Sequence, residues 1–209
     1  MKPIQSLRSL TLVLLTAASF SLAVSKVSAA GYKLADKVGT SIAEFRDEIV
    51  DVKKAVDATM SALEVVVVGD PVPTSRPVTF TREDPAGGGP AAGLLAGIDR
   101  FLHPPDLVAV VAVDMPRLHA GTVARLTWAV EADPGVDGAV LVDADGRRQT
   151  LAGVYRLSAL TTARPASPED EHGLPVRRLV GGLRLAEVPA VGDEARDVDT
   201  WEDLRDLRQ

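Results

Sequence analysis

The sequence predicts an α/β domain over residues 64–209, with a mainly parallel sheet and flanking helices, preceded by a long amphipathic helix. Three observations point there. Two continuous apolar runs, Glu64–Val68 (EVVVV) and Leu107–Val113 (LVAVVAV), close in Gly69-Asp70-Pro71 and Asp114-Met115-Pro116. Runs without polar alternation are what strands covered on both faces look like. Segments of helical composition, Gly93–Leu102 and Gly121–Val130, alternate with them in the order of βα units. The third observation is a step in composition. All six lysines lie in residues 1–54, whereas residues 64–209 hold 15 arginines and no lysine. Thirteen of the 14 prolines also follow Gly69, and net charge changes from +2 before Glu64 to −8 after it. The step marks a boundary near Leu63–Glu64. It fits two segments of different origin, or a Lys-rich helix native to an Arg-rich domain.

Residues 1–30 read as an export signal. Lys2 and Arg8 give a positive start, and residues 10–24 (LTLVLLTAASFSLAV) give an apolar stretch of h-region length. The stretch is short for a membrane span, which needs roughly 20 apolar residues. Small residues at Val27-Ser28-Ala29 suit a cut before Ala30, and Ser21-Leu22-Ala23 offers a second site. A buried N-terminal helix, or an uncleaved membrane anchor, are the competing readings. Residues 31–63 then place Leu34, Val38, Ile42, Phe45, Ile49, Val52, Val56, Met60 and Leu63 at spacings of three and four. That is one helical stripe, which needs a partner helix, a second copy of the chain or the following domain to cover it.

Within residues 64–209, Pro77–Arg82, Ala139–Val142, Thr150–Arg156 and Leu185–Val188 suit further strands. Leu157–Thr161, Val176–Leu183 and Thr200–Leu207 suit helices, and residues 164–175, rich in Pro and acids, suit a mobile loop. Trp128 and Trp201 read as packing residues, and His103, His119 and His172 as isolated surface or packing histidines. Arg147-Arg148 is either a solvated turn or an approach to acceptor phosphates.

Composition narrows the function. The chain is 46% hydrophobic and 25% charged, which excludes disorder as its main state. No cysteine is present, so disulfides, cysteine metal sites and thiol nucleophiles are excluded. A net charge of −6 argues against a general nucleic-acid binder, though not against a nucleotide ligand.

In parallel sheets ligands bind beyond the carboxyl ends of the strands. Chemistry is therefore expected just after EVVVV and LVAVVAV, and two motifs are candidates for carrying it. Gly87-Gly88-Gly89-Pro90-Ala91-Ala92-Gly93 opens a helix, where bare backbone can approach a ligand and free N–H groups can meet an anion or a base edge. Such a turn can equally be structural. Asp114 leaves a buried strand, where a carboxylate can hold Mg²⁺ on nucleotide phosphates or simply cap the next helix.

Taken together and in order, residues 82–98 (REDPAGGGPAAGLLAGI), 111–116 (VAVDMP) and 197–204 (DVDTWEDL) resemble the molybdenum cofactor guanylyltransferases. These are MobA-like nucleoside-triphosphate transferases with a Rossmann-like sheet, and the resemblance covers residues 64–209. It implies that Asp114 holds Mg²⁺ and through it the triphosphate. It implies that Asp84 contacts the guanine nucleotide, that Gly88, Gly89, Pro90 and Gly93 form the turn beside the nucleoside, and that Asp197 and Asp199 lie on the acceptor side. The implied reaction is transfer of GMP from GTP to molybdopterin, with GTP, the pterin and Mg²⁺ as partners and no nucleic acid. Self-association through residues 34–63 is a further expectation.

The family's opening strand and its Leu-Ala-Gly-Gly loop find no counterpart in this reading, since residues 1–63 hold only Gly31 and Gly39. The domain is therefore expected to be truncated at its N-terminus, with weak GTP binding and impaired transfer. The family is cytoplasmic, while residues 1–30 suggest export to the periplasm or a membrane anchor. Two alternatives stay open: an exported or tethered helical protein with a non-catalytic α/β domain, arising by an artefactual fusion, and a related cytidylyl or sugar-phosphate nucleotidyltransferase.

Overall fold

A computed structural model describes residues 10–15 (their backbone pairing), 64–74 and 77–196. Seven strands form one sheet: β1 (Leu10–Leu15), β2 (Val65–Val68), β3 (Thr79–Thr81), β4 (Leu107–Ala112), β5 (Gly138–Val142), β6 (Arg148–Arg156) and β7 (Leu185–Pro189). Their order across the sheet is β3-β2-β1-β4-β6-β5-β7. The helices are α1 (Gly89–Ile98), α2 (Ala120–Ala132), α3 (Leu157–Ala163) and the single turn α4 (Val176–Leu179), with a 3-10 helix at Pro168–Glu171. The α/β architecture read from the sequence is the one observed. Among the described residues, no helix is long and apolar enough to cross a membrane. The amphipathic helix expected over 31–63, its self-association stripe, and the helix expected over 200–207 lie outside the described residues.

One expectation is overturned. A strand ahead of β2 is present: Leu10–Leu15 runs parallel to β2 on one side and to β4 on the other, at the centre of the sheet. The physical reason for the misreading is that LTLVLL is a continuous apolar run. A strand buried on both faces and the apolar part of an export signal share that signature. Of the remainder of residues 1–30, nothing lies within the described part.

The runs that predicted the sheet are buried on both faces. Along β4, Leu107, Ala109 and Val111 join one core with Val65, Val67 and the α2 residues Val123, Leu126 and Val130. Val108 and Val110 point the other way and join α1 (Ala91, Leu94, Leu95, Ile98) with Leu160 and Val176. Each buried Val or Leu contributes about 1.5–3 kcal/mol by leaving water. β6 runs antiparallel to both β4 and β5 and is the exception to the parallel pattern. Tyr155 on β6 is fully buried, and its hydroxyl donates to the Thr150 carbonyl at 2.6 Å. A Cβ at Gly138 or Gly153 would lie 2.8 Å from its ring, so both glycines make room for it.

Arg156, at the end of β6, donates to the carbonyls of Val130 and Val136 at 3.0 and 2.9 Å. Those bonds tie the C-terminal turn of α2 to the start of β5, where a cation also complements the helix dipole. Trp128 departs from its expected packing role, being 70% exposed. The buried side of α2 is set by Thr122, Val123, Leu126, Thr127 and Val130, and Trp128 faces away from it.

Candidate active site

β1 through β5 and β7 share one direction, so their carboxyl ends line one edge of the sheet. The chain leaving β3 at this edge forms the glycine turn and enters α1. Helix α1 starts at Gly89, four residues earlier than the composition suggested, with Pro90 in its first turn. Proline belongs there because its missing N–H would have no helical partner. Gly87 and Gly89 have φ of +84° and +87°, which L side chains rarely adopt. Gly88 lies between them in an ordinary conformation but without room: a Cβ would sit 2.8 Å from Ala92 Cβ and 3.3 Å from Glu83 Cγ. Glu83, 8% exposed, accepts the Gly87 N–H at 3.0 Å and fixes the turn from beneath. Gly88→Val is expected to lower stability by about 1–3 kcal/mol through overpacking. Thermal unfolding would register this as a Tm reduced by several degrees.

A second segment closes on the same turn. The Gly173 N–H donates to the Gly88 carbonyl at 2.7 Å. At the far end of α1, Arg164 donates two bonds of 2.8 Å to Asp99 and one of 2.7 Å to Glu171. Residues 164–173 therefore strap α1 from end to end instead of forming the loose loop expected from composition. A cleft of about 350 Å³ lies along α1 under this strap, lined by Asp84, Gly88, Ala92, Arg164 and His172 among others. The sequence signal for the ordering was Ser167-Pro168-Glu169, a helix-start pattern in which the Ser167 hydroxyl accepts the Glu169 N–H at 3.3 Å.

Asp114 lies two residues beyond the carboxyl end of β4 and is half-buried. It rides on a tight turn in which Met115 N–H reaches the Ala112 carbonyl and Leu118 N–H the Met115 carbonyl, with Met115 and Leu118 anchored in the core. Asp114 and the glycine turn thus occupy the same edge. Between them are β1 and β2, over which α1 packs. At roughly 4.8 Å per strand the three spacings from β3 to β4 make about 14 Å, which a whole nucleoside triphosphate, though not its phosphates alone, can span.

Of the nucleotide residues expected from sequence, Asp84 is exposed beside Gly88 in the cleft, Pro90 is exposed and Gly93 is buried within α1. Asp114 does not line that cleft. Asp197 and Asp199 lie outside the described residues. Among the described residues, no group of three or more His, Asp or Glu side chains is placed to hold a metal. A single strand-end carboxylate still suits Mg²⁺ in one circumstance, because that ion takes one or two carboxylates and completes its shell with substrate phosphates and water.

A buried carboxylate that the sequence reading missed stands at this edge. Glu194, 3% exposed, follows β7 and reaches the first turns of α2. It accepts from Thr122 Oγ1 at 2.6 Å, from Arg125 at 2.6 and 3.1 Å, and from the Val191 N–H at 2.9 Å. His119 Nε2 lies 2.9 Å away. Burial opposes ionisation of this carboxyl, but the bonds from Arg125, Thr122 and Val191 outweigh it and hold its pKa at about 2. A depressed carboxylate contributes stability above its unfolded pKa of about 4.5 and loses it as pH falls towards 2. That contribution is on the order of 3 kcal/mol. The wild-type chain is therefore expected to lose stability between pH 4.5 and 2 more steeply than Glu194→Gln, as read by urea unfolding across that range.

The Arg147-Arg148 turn is solvated. Asp143 accepts the Arg147 and Asp145 N–H groups, which holds its carboxyl below the usual range, and Arg148 pairs with Glu187 at 2.7 Å.

A mainly parallel sheet with a glycine turn opening a helix and an Asp-Met-Pro turn at one edge is the arrangement of the Rossmann-like nucleotidyltransferases. Comparison with known proteins agrees. The family model described as the MobA-like NTP transferase domain matches residues 49–187. The chain belongs to that family. It is 33% identical over 164 residues to a phosphoenolpyruvate guanylyltransferase of Streptomyces scabiei, covering 74% of this chain and 71% of that one. It is 42% identical over 73 residues to a molybdenum cofactor guanylyltransferase of Cupriavidus necator, covering 34% and 35%. The molybdopterin-guanine dinucleotide biosynthesis protein A of Archaeoglobus fulgidus shares the fold, with a TM-score of 0.57 at 16% identity over 94% of this chain and 96% of that one. Rv0371c of Mycobacterium tuberculosis does so with 0.58 at 16% identity over 96% and 97%.

Proposed function

We propose that this nucleotidyltransferase-family chain transfers GMP from GTP to the terminal phosphate of molybdopterin. In that reaction an acceptor phosphate oxygen attacks the α-phosphorus of GTP in line, a P–O–P bond forms, and the bond to the β-phosphate breaks to release pyrophosphate. The observation that supports the reading is that Asp114 and the Gly88–Gly89 turn lie at the same edge of the sheet, separated by β1 and β2. The first N–H groups of α1 and the bare turn would hold the nucleoside, with Asp84 beside them. Asp114 would hold Mg²⁺, which when bound neutralises phosphate charge. Asp197 and Asp199 would face the acceptor. Phosphoryl transfer of this kind is positioning and electrostatics, so no protein nucleophile is required.

Turnover should be slow, because no Leu-Ala-Gly-Gly loop occurs in the sequence to wrap the phosphates. We place the chain in the cytoplasm. What supports this is that a cut before Ala30 would remove β1 from the middle of the sheet. A second acceptor, phosphoenolpyruvate, is favoured by the Streptomyces relative, which matches over more of its length than the Cupriavidus one.

The test is calorimetric titration of Mg²⁺–GTP into the full chain with GDP as competitor, followed by pyrophosphate release with molybdopterin and with phosphoenolpyruvate. Heat that GDP abolishes and CTP does not reproduce supports the guanylyl reading. No heat favours the non-catalytic alternative, a CTP preference favours the cytidylyl one, and fast turnover overturns the impairment.

A further inference from the structure

We infer that Arg117 is a phosphate-binding residue: its guanidinium, on the turn that carries Asp114, takes phosphates of the nucleotide whose Mg²⁺ that carboxylate holds. This rests on the proposed placing of Mg²⁺ at Asp114. The turn is rigid. Met115 and Leu118 are 4% and 2% exposed, and the Leu118 N–H donates to the Met115 carbonyl at 3.2 Å. Between them Pro116 has its φ fixed, as suits the second position of a four-residue turn. Both ends of the turn are sunk in the core. Arg117, at its third position, is exposed, three residues from Asp114 on the loop that leaves β4.

The fold leaves the charge of Arg117 unused. Around the same edge Arg82 pairs with Asp70, Arg125 with Glu194 and Arg148 with Glu187, at 2.7, 2.6 and 2.7 Å. Among the described residues the Arg117 side chain has no hydrogen bond or ion pair, and Asp114 is not its partner. An acid and a base on one turn that do not cancel each other suit a ligand of both signs. A magnesium-bound phosphate is such a ligand, with the cation for Asp114 and the oxygens for Arg117. Mg²⁺ neutralises only part of a triphosphate, and the net charge of −8 over residues 64–209 repels the rest. With no Leu-Ala-Gly-Gly loop in the sequence, the backbone donors that would wrap the phosphates are missing as well. A guanidinium answers both needs, since it carries a full charge and its planar fork donates two parallel bonds to one phosphate.

The experiment uses the full chain as wild type, Arg117→Gln and Arg117→Lys. Each is titrated by calorimetry with Mg²⁺–GTP, with magnesium tripolyphosphate, which has no base, and with guanosine, which has no phosphate. Arg117 is exposed, so both variants are expected to keep the wild-type Tm. In Arg117→Gln the two phosphate ligands should bind about tenfold more weakly and with less sensitivity to added salt, while guanosine binding stays unchanged. Arg117→Lys should lose only about threefold, because an ammonium keeps the charge without the fork. Unchanged GTP and tripolyphosphate binding in Arg117→Gln overturns the inference and leaves the guanylyl reading intact. So does an equal loss of guanosine binding, the mark of a disturbed turn. Tripolyphosphate binding that depends on Arg117, with CTP bound as tightly as GTP, supports the inference and overturns the guanylyl reading. A wild-type chain that binds neither phosphate ligand overturns both.

Discussion

A chain lacking residues 1–30 is expected to lose the cooperative unfolding transition of the full-length protein and to expose apolar surface to a reporter dye. The cause is the place of β1. It pairs with β2 over four residues and with β4 over six. Without it the sheet falls into β3-β2 and β4-β6-β5-β7, each with a bare, apolar, parallel edge. The lost ladder holds on the order of ten hydrogen bonds at about 1 kcal/mol net apiece. Whole-domain stabilities are only about 5–15 kcal/mol, so the loss is of the same size as the total. Val13→Pro tests the same point within the full chain, since proline removes a ladder donor at the middle of a central strand. Removing only residues 1–9 should leave the transition in place. A sharp transition in the chain that lacks residues 1–30 would refute the central role of β1.

Asp114→Asn is expected to weaken Mg²⁺-dependent GTP binding about 100-fold, with the Tm changed by no more than a few degrees. Asparagine keeps the size and one acceptor oxygen but loses the charge that a hard divalent cation requires. The turn beneath it depends on backbone bonds and on buried Met115 and Leu118, none of which the substitution touches. Titration in Mg²⁺ and in EDTA separates the effects: the wild type should differ between the two and the variant should not. Equal Mg²⁺ dependence in both proteins would remove Asp114 from the metal role.

The elements legible in the sequence are those whose cause is local. EVVVV and LVAVVAV announce strands because both faces of β2 and β4 are covered, and the turn residues after them mark where each strand stops. Asp114 was legible as a site candidate because it lies just beyond an apolar strand, and the glycine turn because its glycines open a helix. The direction of β6 was not legible, because an apolar strand reads the same whether its neighbours run with it or against it. β1 was hidden by a genuine ambiguity: Lys2, Arg8 and the run LTLVLL satisfy a leader and a core strand equally well. Glu194 was hidden by distance. Its partner Arg125 lies 69 positions away, and neither residue differs from the surrounding surface charges until the chain folds. Trp128 shows the opposite error, a large apolar residue at helical spacing that the packing leaves outside.

The central position of β1 sets a timing problem during synthesis. The strand is made first, yet Val65 follows Leu15 by about 50 residues and Leu107 by about 90, which at 5–20 residues per second is a wait of about 3–10 and 5–20 seconds. Throughout that interval the nascent chain displays an apolar run with no edge to dock on. Targeting factors and chaperones therefore compete for it against strands the ribosome has yet to deliver, and the order of arrival decides whether the run docks into the sheet or is captured before the sheet exists.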